Sequence, residues 1–227
     1  MLYIWSMMMN KTTVSTLIAA TLLAAGFSAS VSAHQAGDII VRAGAVVVAP
    51  NESSDDVVIP GVGNLGEFKV SNDTQLGLNF GYMLTDNIGI ELLAATPFSH
   101  DVSLAGVGKI AETKHLPPTL VAQYYFGDAQ SKLRPYVGVG VNYTNFFDND
   151  FTNDLGGSLT DLSMSTSWGL AAQVGLDYQF NKNWLVNASV WYAQIDSDVK
   201  FKYQGTPVTI STDINPWVYM VSVGYTF

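Results

Sequence analysis

The chain has no cysteine among its 227 residues, which excludes disulfides, a cysteine-ligated zinc and a thiol nucleophile. Charge is scarce: only 13% of residues are Asp, Glu, Lys or Arg, and 10 cations face 19 acids for a formal net charge of −9. Such a balance makes a poor ligand for nucleic acid. Histidine is rarer still, with His34, His100 and His115 the whole supply. No Ser or Asp pattern pairs with His100 or His115 as nucleophile and base would, so the sequence reads as that of no enzyme and calls for no cofactor.

Long apolar runs are confined to the amino terminus. Lys11 precedes an apolar stretch from Val14 through Phe27, followed by small residues up to Ala33. This is the pattern of a secretory leader, and the stretch is shorter than the ~20 residues a bilayer-spanning helix needs. Residues 1–33 are expected to be removed, leaving residues 34–227 as one domain that begins at His34. Both Met1 and Met9 are available as starts, and Met9-Asn10-Lys11 is the more ordinary opening for a leader.

What the mature chain has in abundance is alternation. Period two predicts strands near residues 38–48, 67–84, 88–98, 113–126, 133–147, 164–180, 184–203 and 208–227. No helical stripe of comparable length competes. The connections at 85–87, 127–132 and 181–183 are short, whereas those after the first, third and fifth strands are long and polar. Alternating short and long connections predict an all-β, eight-stranded antiparallel up-and-down transmembrane β-barrel, with the tight turns and both termini at one rim and the long loops at the other.

Parity then separates two faces. Leu76, Leu78, Phe80, Tyr82 and Leu84 oppose Gln75, Gly77, Asn79, Gly81 and Met83; Trp168, Leu170, Val174, Leu176 and Tyr178 oppose Ser167, Gly169, Gln173, Gly175 and Asp177. If the apolar face pointed inward, as in a lipocalin-like soluble barrel, the outer wall would be Gly, Gln, Asn and Ser with scarcely a Lys or Glu to solvate it. Aromatics gather in two belts: Tyr82, Tyr124, Phe126, Tyr178, Phe180, Trp184, Tyr225 and Phe227 by the tight turns, and Tyr143, Trp168, Trp217 and Tyr219 towards the loops. Two belts fit two membrane interfaces, so the apolar face is assigned to lipid, with outer-membrane lipid and lipopolysaccharide as its surroundings.

An eight-stranded barrel is narrow and largely filled by its own side chains. The inward parity collects Ile40, Arg42, Val46, Met83, Glu91, Leu93, Val121, Gln123, Asn142, Gln173, Asp177, Asn187, Ser189 and Trp191. Arg42, Glu91 and Asp177 lie three or four residues in from the tight rim, which predicts a mutually paired buried charge cluster, since isolated charges there would be costly. Leu93 and Trp191 fall at similar depth above it. They either gate the lumen or merely fill it; sequence leaves both readings open. A weakly polar lumen suits small hydrophobic molecules better than ions or sugars.

The segments Asn72–Leu78, Asp86–Phe98 and His115–Leu120 resemble the outer membrane protein W (OmpW) family, as do Phe126–Ala129, Arg134–Gly138, Asn142–Thr144, Phe146–Asn149 and Trp184–Asn187. The resemblance covers nearly all of residues 34–227. It implies an eight-stranded outer-membrane barrel with periplasmic termini and extracellular loops, a hydrophobic lumen proposed to carry small hydrophobic molecules, and a link to envelope stress. It also implies that Leu93 and Trp191 are the apolar blocking residues. Tyr225 and terminal Phe227 are implied to be read by the barrel-assembly machinery.

Two motifs fail on inspection. Gly61-Val62-Gly63-Asn64-Leu65-Gly66 matches GxGxxG without a βαβ setting. Asp148, Asp150 and Asp154 resemble a calcium loop, but Asn153 and Leu159 stand where Gly and Glu are needed. Two rival classes remain: a structural or adhesive barrel acting through its loops, and an outer-membrane lipid-modifying enzyme.

Overall fold

The computed structural model describes residues 34–59, 63–104 and 107–227. The expected leader, and Gly61 and Val62 of the glycine-rich motif, lie outside the described residues. In chain order the strands are β1 (Ile39–Ala49), β2 (Ser53–Ser54), β3 (Val58–Ile59), β4 (Gly63–Asn64), β5 (Phe68–Val70), β6 (Asp73–Met83), β7 (Ile88–Ala95), β8 (Phe98–Leu104) and β9 (Gly108–Leu116). They continue as β10 (Thr119–Tyr125), β11 (Leu133–Phe151), β12 (Leu159–Met164), β13 (Ser167–Gln179), β14 (Trp184–Ala193), β15 (Asp196–Tyr203), β16 (Thr206–Asp213) and β17 (Trp217–Thr226).

Eight of these form the barrel, in the order β10-β7-β6-β1-β17-β14-β13-β11, and pairing of β10 with β11 closes the ring. Every barrel pairing is antiparallel between strands that follow one another around the wall, the up-and-down arrangement. The first and last strands meet along the closing seam, from Ile40 opposite Thr226 to Ala49 opposite Trp217. Period-two alternation sends one set of side chains inward and the other outward. Outward Val139, Leu170 and Val221 are 69%, 66% and 68% exposed. A continuous exposed apolar band would drive a water-soluble protein to associate, and it is what hydrocarbon requires. The aromatic belts flank it, with Trp184–Tyr225 and Tyr225–Phe227 in ring contact at the tight-turn rim, and Tyr143–Trp168 and Tyr192–Trp217 at the other.

The strand boundaries differ from the sequence reading in several places, among them 67–84, which divides into β5 and β6. The stretch 113–126 is broken at Pro117 and Pro118, neither of which can donate to a ladder, so β9 ends at Leu116 and β10 starts at Thr119. The stretches 184–203 and 208–227 both break at one level, where Ile214 donates to the Ile195 carbonyl, Asn215 has φ of 37° and Pro216 follows. Beyond these breaks the chain leaves the barrel and builds a cap. One cap sheet is β5-β8-β9 joined to the upper half of β11, a second is β12-β15-β16-β2, and β3 pairs with β4.

The long connections are therefore not simply polar loops. Their strands alternate too, and their inner face supplies an apolar cluster of Val57, Phe68, Leu104, Ile110, Leu159, Val199, Phe201 and Ile210. Their outer face is charged, with Lys109 bridging Asp101 and Glu112, Lys114 near Asp148, and Lys202 near Asp161. Inward residues of the cap are thus mostly apolar, whereas the barrel interior mixes apolar with polar side chains, and the outer wall changes from apolar to charged above the upper belt.

Candidate functional site: a layered lumen

The lumen is organised in layers. Nearest the tight turns lie Ile40, Met83, Tyr125, Tyr136 and Leu185. Among them Arg42 of β1 donates through Nη1 to Glu91 of β7, and through Nη2 to Asp177 of β13 at 2.5 Å and to the Tyr125 hydroxyl at 2.9 Å. All three charged groups are essentially inaccessible to solvent. The carboxylates also accept from amides, Gln173 donating to Glu91 at 3.0 Å and Asn187 to Asp177 at 2.7 Å, and Gln123 donates in turn to the Gln173 carbonyl at 2.9 Å. Pairing of each charged group with an opposite charge and with amides is what allows charges in a narrow interior, although Arg42 Nε is buried without a partner.

His34, Arg134 and Tyr136 also join this network. His34 is buried, with Nε2 2.7 Å from Asp177, and its carbonyl accepts from Arg134 at 3.1 Å. Tyr136 accepts from Asn187 at 2.9 Å and fits only because its cross-strand partner is glycine: a Cβ on Gly175 would stand 2.2 Å from the Tyr136 ring. The inward parity of β11 could have identified Tyr136 and Arg134. Nothing in an alternating pattern marks His34, which precedes the first strand.

Above this floor sits an apolar plug. Leu93 and Trp191 belong to one buried cluster with Val46, Val48, Phe98, Val121, Ala171, Val218 and Met220. The Trp191 indole donates to Ser189 Oγ at 3.2 Å, so its one polar atom is satisfied inside the layer. Asn142, at the upper edge, donates to Thr119 Oγ1 at 2.8 Å. Tyr225 and Phe227 are placed elsewhere, on the outer surface at the tight-turn rim, with Phe227 70% exposed.

Two cavities lie on the cap side. The smaller, about 20 Å³, is bounded by Leu93, Trp191, Phe98, Val218 and Ala193, and reaches the wall at Ala94, Pro117 and Tyr192. That is where the β7–β10 ladder stops, its last pair being Leu93 with Thr119. The larger, about 60 Å³, lies inside the cap among Phe68, Leu104, Ile110, Phe151, Leu159, Met164 and Phe201. Val48, His115, Ile195 and Pro216 bound both. His115 and His100 form a stacked pair with Nε2 atoms 2.9 Å apart. Burial holds both below the ordinary histidine value, and His115, which also faces His100, falls to about 3. Among the described residues no group of three or more His, Asp or Glu side chains is placed to hold a metal ion.

This layered tube has counterparts among known proteins. Residues 35–227 match the family model described as OmpW family. Outer membrane protein W of Escherichia coli (strain K12) is 53% identical over 221 residues, 96% of this chain and 100% of that one. Its solution NMR structure has a TM-score of 0.60 over 86% of this chain and 100% of its own. The crystal structure of outer membrane protein OprG from Pseudomonas aeruginosa is 43% identical, with a TM-score of 0.82 over 87% of this chain and 99% of that one. A more distant relative, the dibenzothiophene metabolism operon protein PahQ of Pseudomonas aeruginosa, is 25% identical over 168 residues, 71% of this chain and 75% of that one. By sequence across nearly all its described residues, and by fold, the chain belongs to the OmpW family of outer-membrane β-barrels.

Proposed function

We propose that this protein is a conduit for small hydrophobic molecules, with the cap outside the cell, the termini in the periplasm, and residues 1–33 removed on export. The observation that carries this reading is the pair of cavities, apolar in nearly all their lining, that lead from the cap down to Leu93 and Trp191. A polar solute entering them would give up its hydration for few new partners, whereas an apolar one gains from leaving water. The name of PahQ, which ties that relative to dibenzothiophene metabolism, is in keeping with such cargo.

Leu93 and Trp191 act as the gate. Below them the floor of Arg42, Glu91 and Asp177 is charged and mutually paired and offers an apolar molecule nothing, so the route turns sideways where the smaller cavity meets Ala94 and Pro117 and the ladder has ended. The pairing of His100 with His115, rather than with a nucleophile, speaks against catalysis.

Uptake of an apolar aromatic dye by liposomes carrying the wild-type protein or Trp191→Ala tests the reading. Wild type should exceed empty liposomes, and Trp191→Ala should change the rate several-fold by opening the plug. A wild-type rate equal to that of empty liposomes would overturn it.

A further inference from the structure

His115 bounds both cavities and its partner His100 the larger alone, and the hydrogens of the pair are set by a single acceptor. The Ser71 carbonyl can only accept, so His100 Nδ1, 2.5 Å away, carries a hydrogen and donates it. A neutral imidazole has one N–H, so His100 Nε2 must accept, and the donor facing it at 2.9 Å is His115 Nε2. His115 Nδ1 is left as a bare acceptor, and it is buried without a hydrogen-bond partner. The ring itself is held between Phe98 and Phe146, with centroids 5.4 and 5.6 Å away. An unmet acceptor in such surroundings is unfavourable and calls for a partner. Thr212 Oγ1, on a residue that bounds the larger cavity, is a second buried polar atom without one.

We infer that the conduit favours hydrophobic molecules that carry one hydrogen-bond donor on an apolar body, phenols above all, whose O–H is accepted by His115 Nδ1 as they pass between the cavities. The inference rests on the conduit reading. His115 is the one hydrogen-bonding side chain common to both cavity walls; Val48, Ile195 and Pro216, which share that position, are apolar. A hydrocarbon makes the same dispersion contacts but leaves the nitrogen unmet. A sugar brings more polar groups than the cavities can satisfy.

Three probes of similar size separate these cases: p-cresol has an O–H, 4-methylanisole an oxygen without a donor, and p-xylene neither. Each is titrated into the folded protein in detergent micelles, with partition into protein-free micelles subtracted. p-Cresol should bind about tenfold more tightly than 4-methylanisole, the scale of one hydrogen bond to a buried neutral acceptor. In His115→Phe the ratio should fall to about one. Equal affinities in wild type, or a preference that survives the substitution, would overturn the inference while leaving the conduit reading in place. No binding of any probe would overturn both. A second measurement avoids the variant altogether: in 15N spectra of histidine-labelled wild type, bound p-cresol should move the His115 Nδ1 signal and bound p-xylene should not. An unmoved signal with p-cresol bound would also overturn the inference.

Discussion

With Glu91 on one side and Asp177 on the other, Arg42 is the single cation joining two carboxylates contributed by distant strands of the wall. Removing it would leave two buried acids facing each other, and loss of one partner from such a group costs about 3–5 kcal/mol. Arg42→Met should therefore lower the urea midpoint of the barrel in lipid vesicles strongly. The triple variant with Glu91→Gln and Asp177→Asn should recover much of the loss, because no charge is then stranded; recovery of none would mean the cost lies in packing instead. Parity alone sufficed to point these three residues inward, since each needs only its own strand to be read. Tyr136 needed more. Its place depends on Gly175 across the strand pair, and a register between two strands is invisible in either one taken singly.

The hairpin of β8 and β9 brings two neutral histidines into an apolar enclosure, and this ties its stability to pH. In the unfolded chain a histidine takes up a proton near pH 6.5, while in the folded cap His115 resists until about 3 and His100 is also lowered. Between those limits the unfolded state binds more protons, so stability is present above about pH 6.5 and falls on acidification, by up to about 1.4 kcal/mol per pH unit for one such group. Amide exchange corrected for its intrinsic pH dependence should show β8 and β9 losing protection between pH 7.5 and 5 while β1 and β17 keep theirs. Equal change in both would refute the coupling. At this scale the sequence was legible wherever a strand kept one partner throughout. It misled at 67–84, 113–126, 184–203 and 208–227 because the alternation runs on between barrel and cap; what changes between Val70 and Asp73, at Pro117 and at Pro216 is which strand is paired, and period two carries no trace of that.

Taken whole, the described barrel is fastened at its tight-turn rim. The Phe227 amide donates to the Ile39 carbonyl at 2.9 Å, and the Asn183 side chain donates to the Thr226 carbonyl at 2.9 Å, while the Phe227 ring itself stays on the outer surface. We propose that a ring so exposed serves assembly more than the finished fold: Phe227→Ala should reduce the folded, heat-modifiable form in outer-membrane fractions, while the protein that does insert takes up dye at the wild-type rate. A folded yield equal to wild type would remove that role. The change of the outer wall from apolar to charged above the upper belt carries a different consequence. Since each cap strand presents one face to the cavity and the other to water, the height of the cap is a quantity that lineages can adjust only in steps. Adding a pair of residues to each of two paired strands lengthens the tube and preserves which side every later residue occupies, whereas adding a single residue turns the inside of the cap out. Insertions in this region should therefore come in twos, and the odd ones should be found only at the bulges, where β9 slips against β8 and against β11 and where β12 slips against β15.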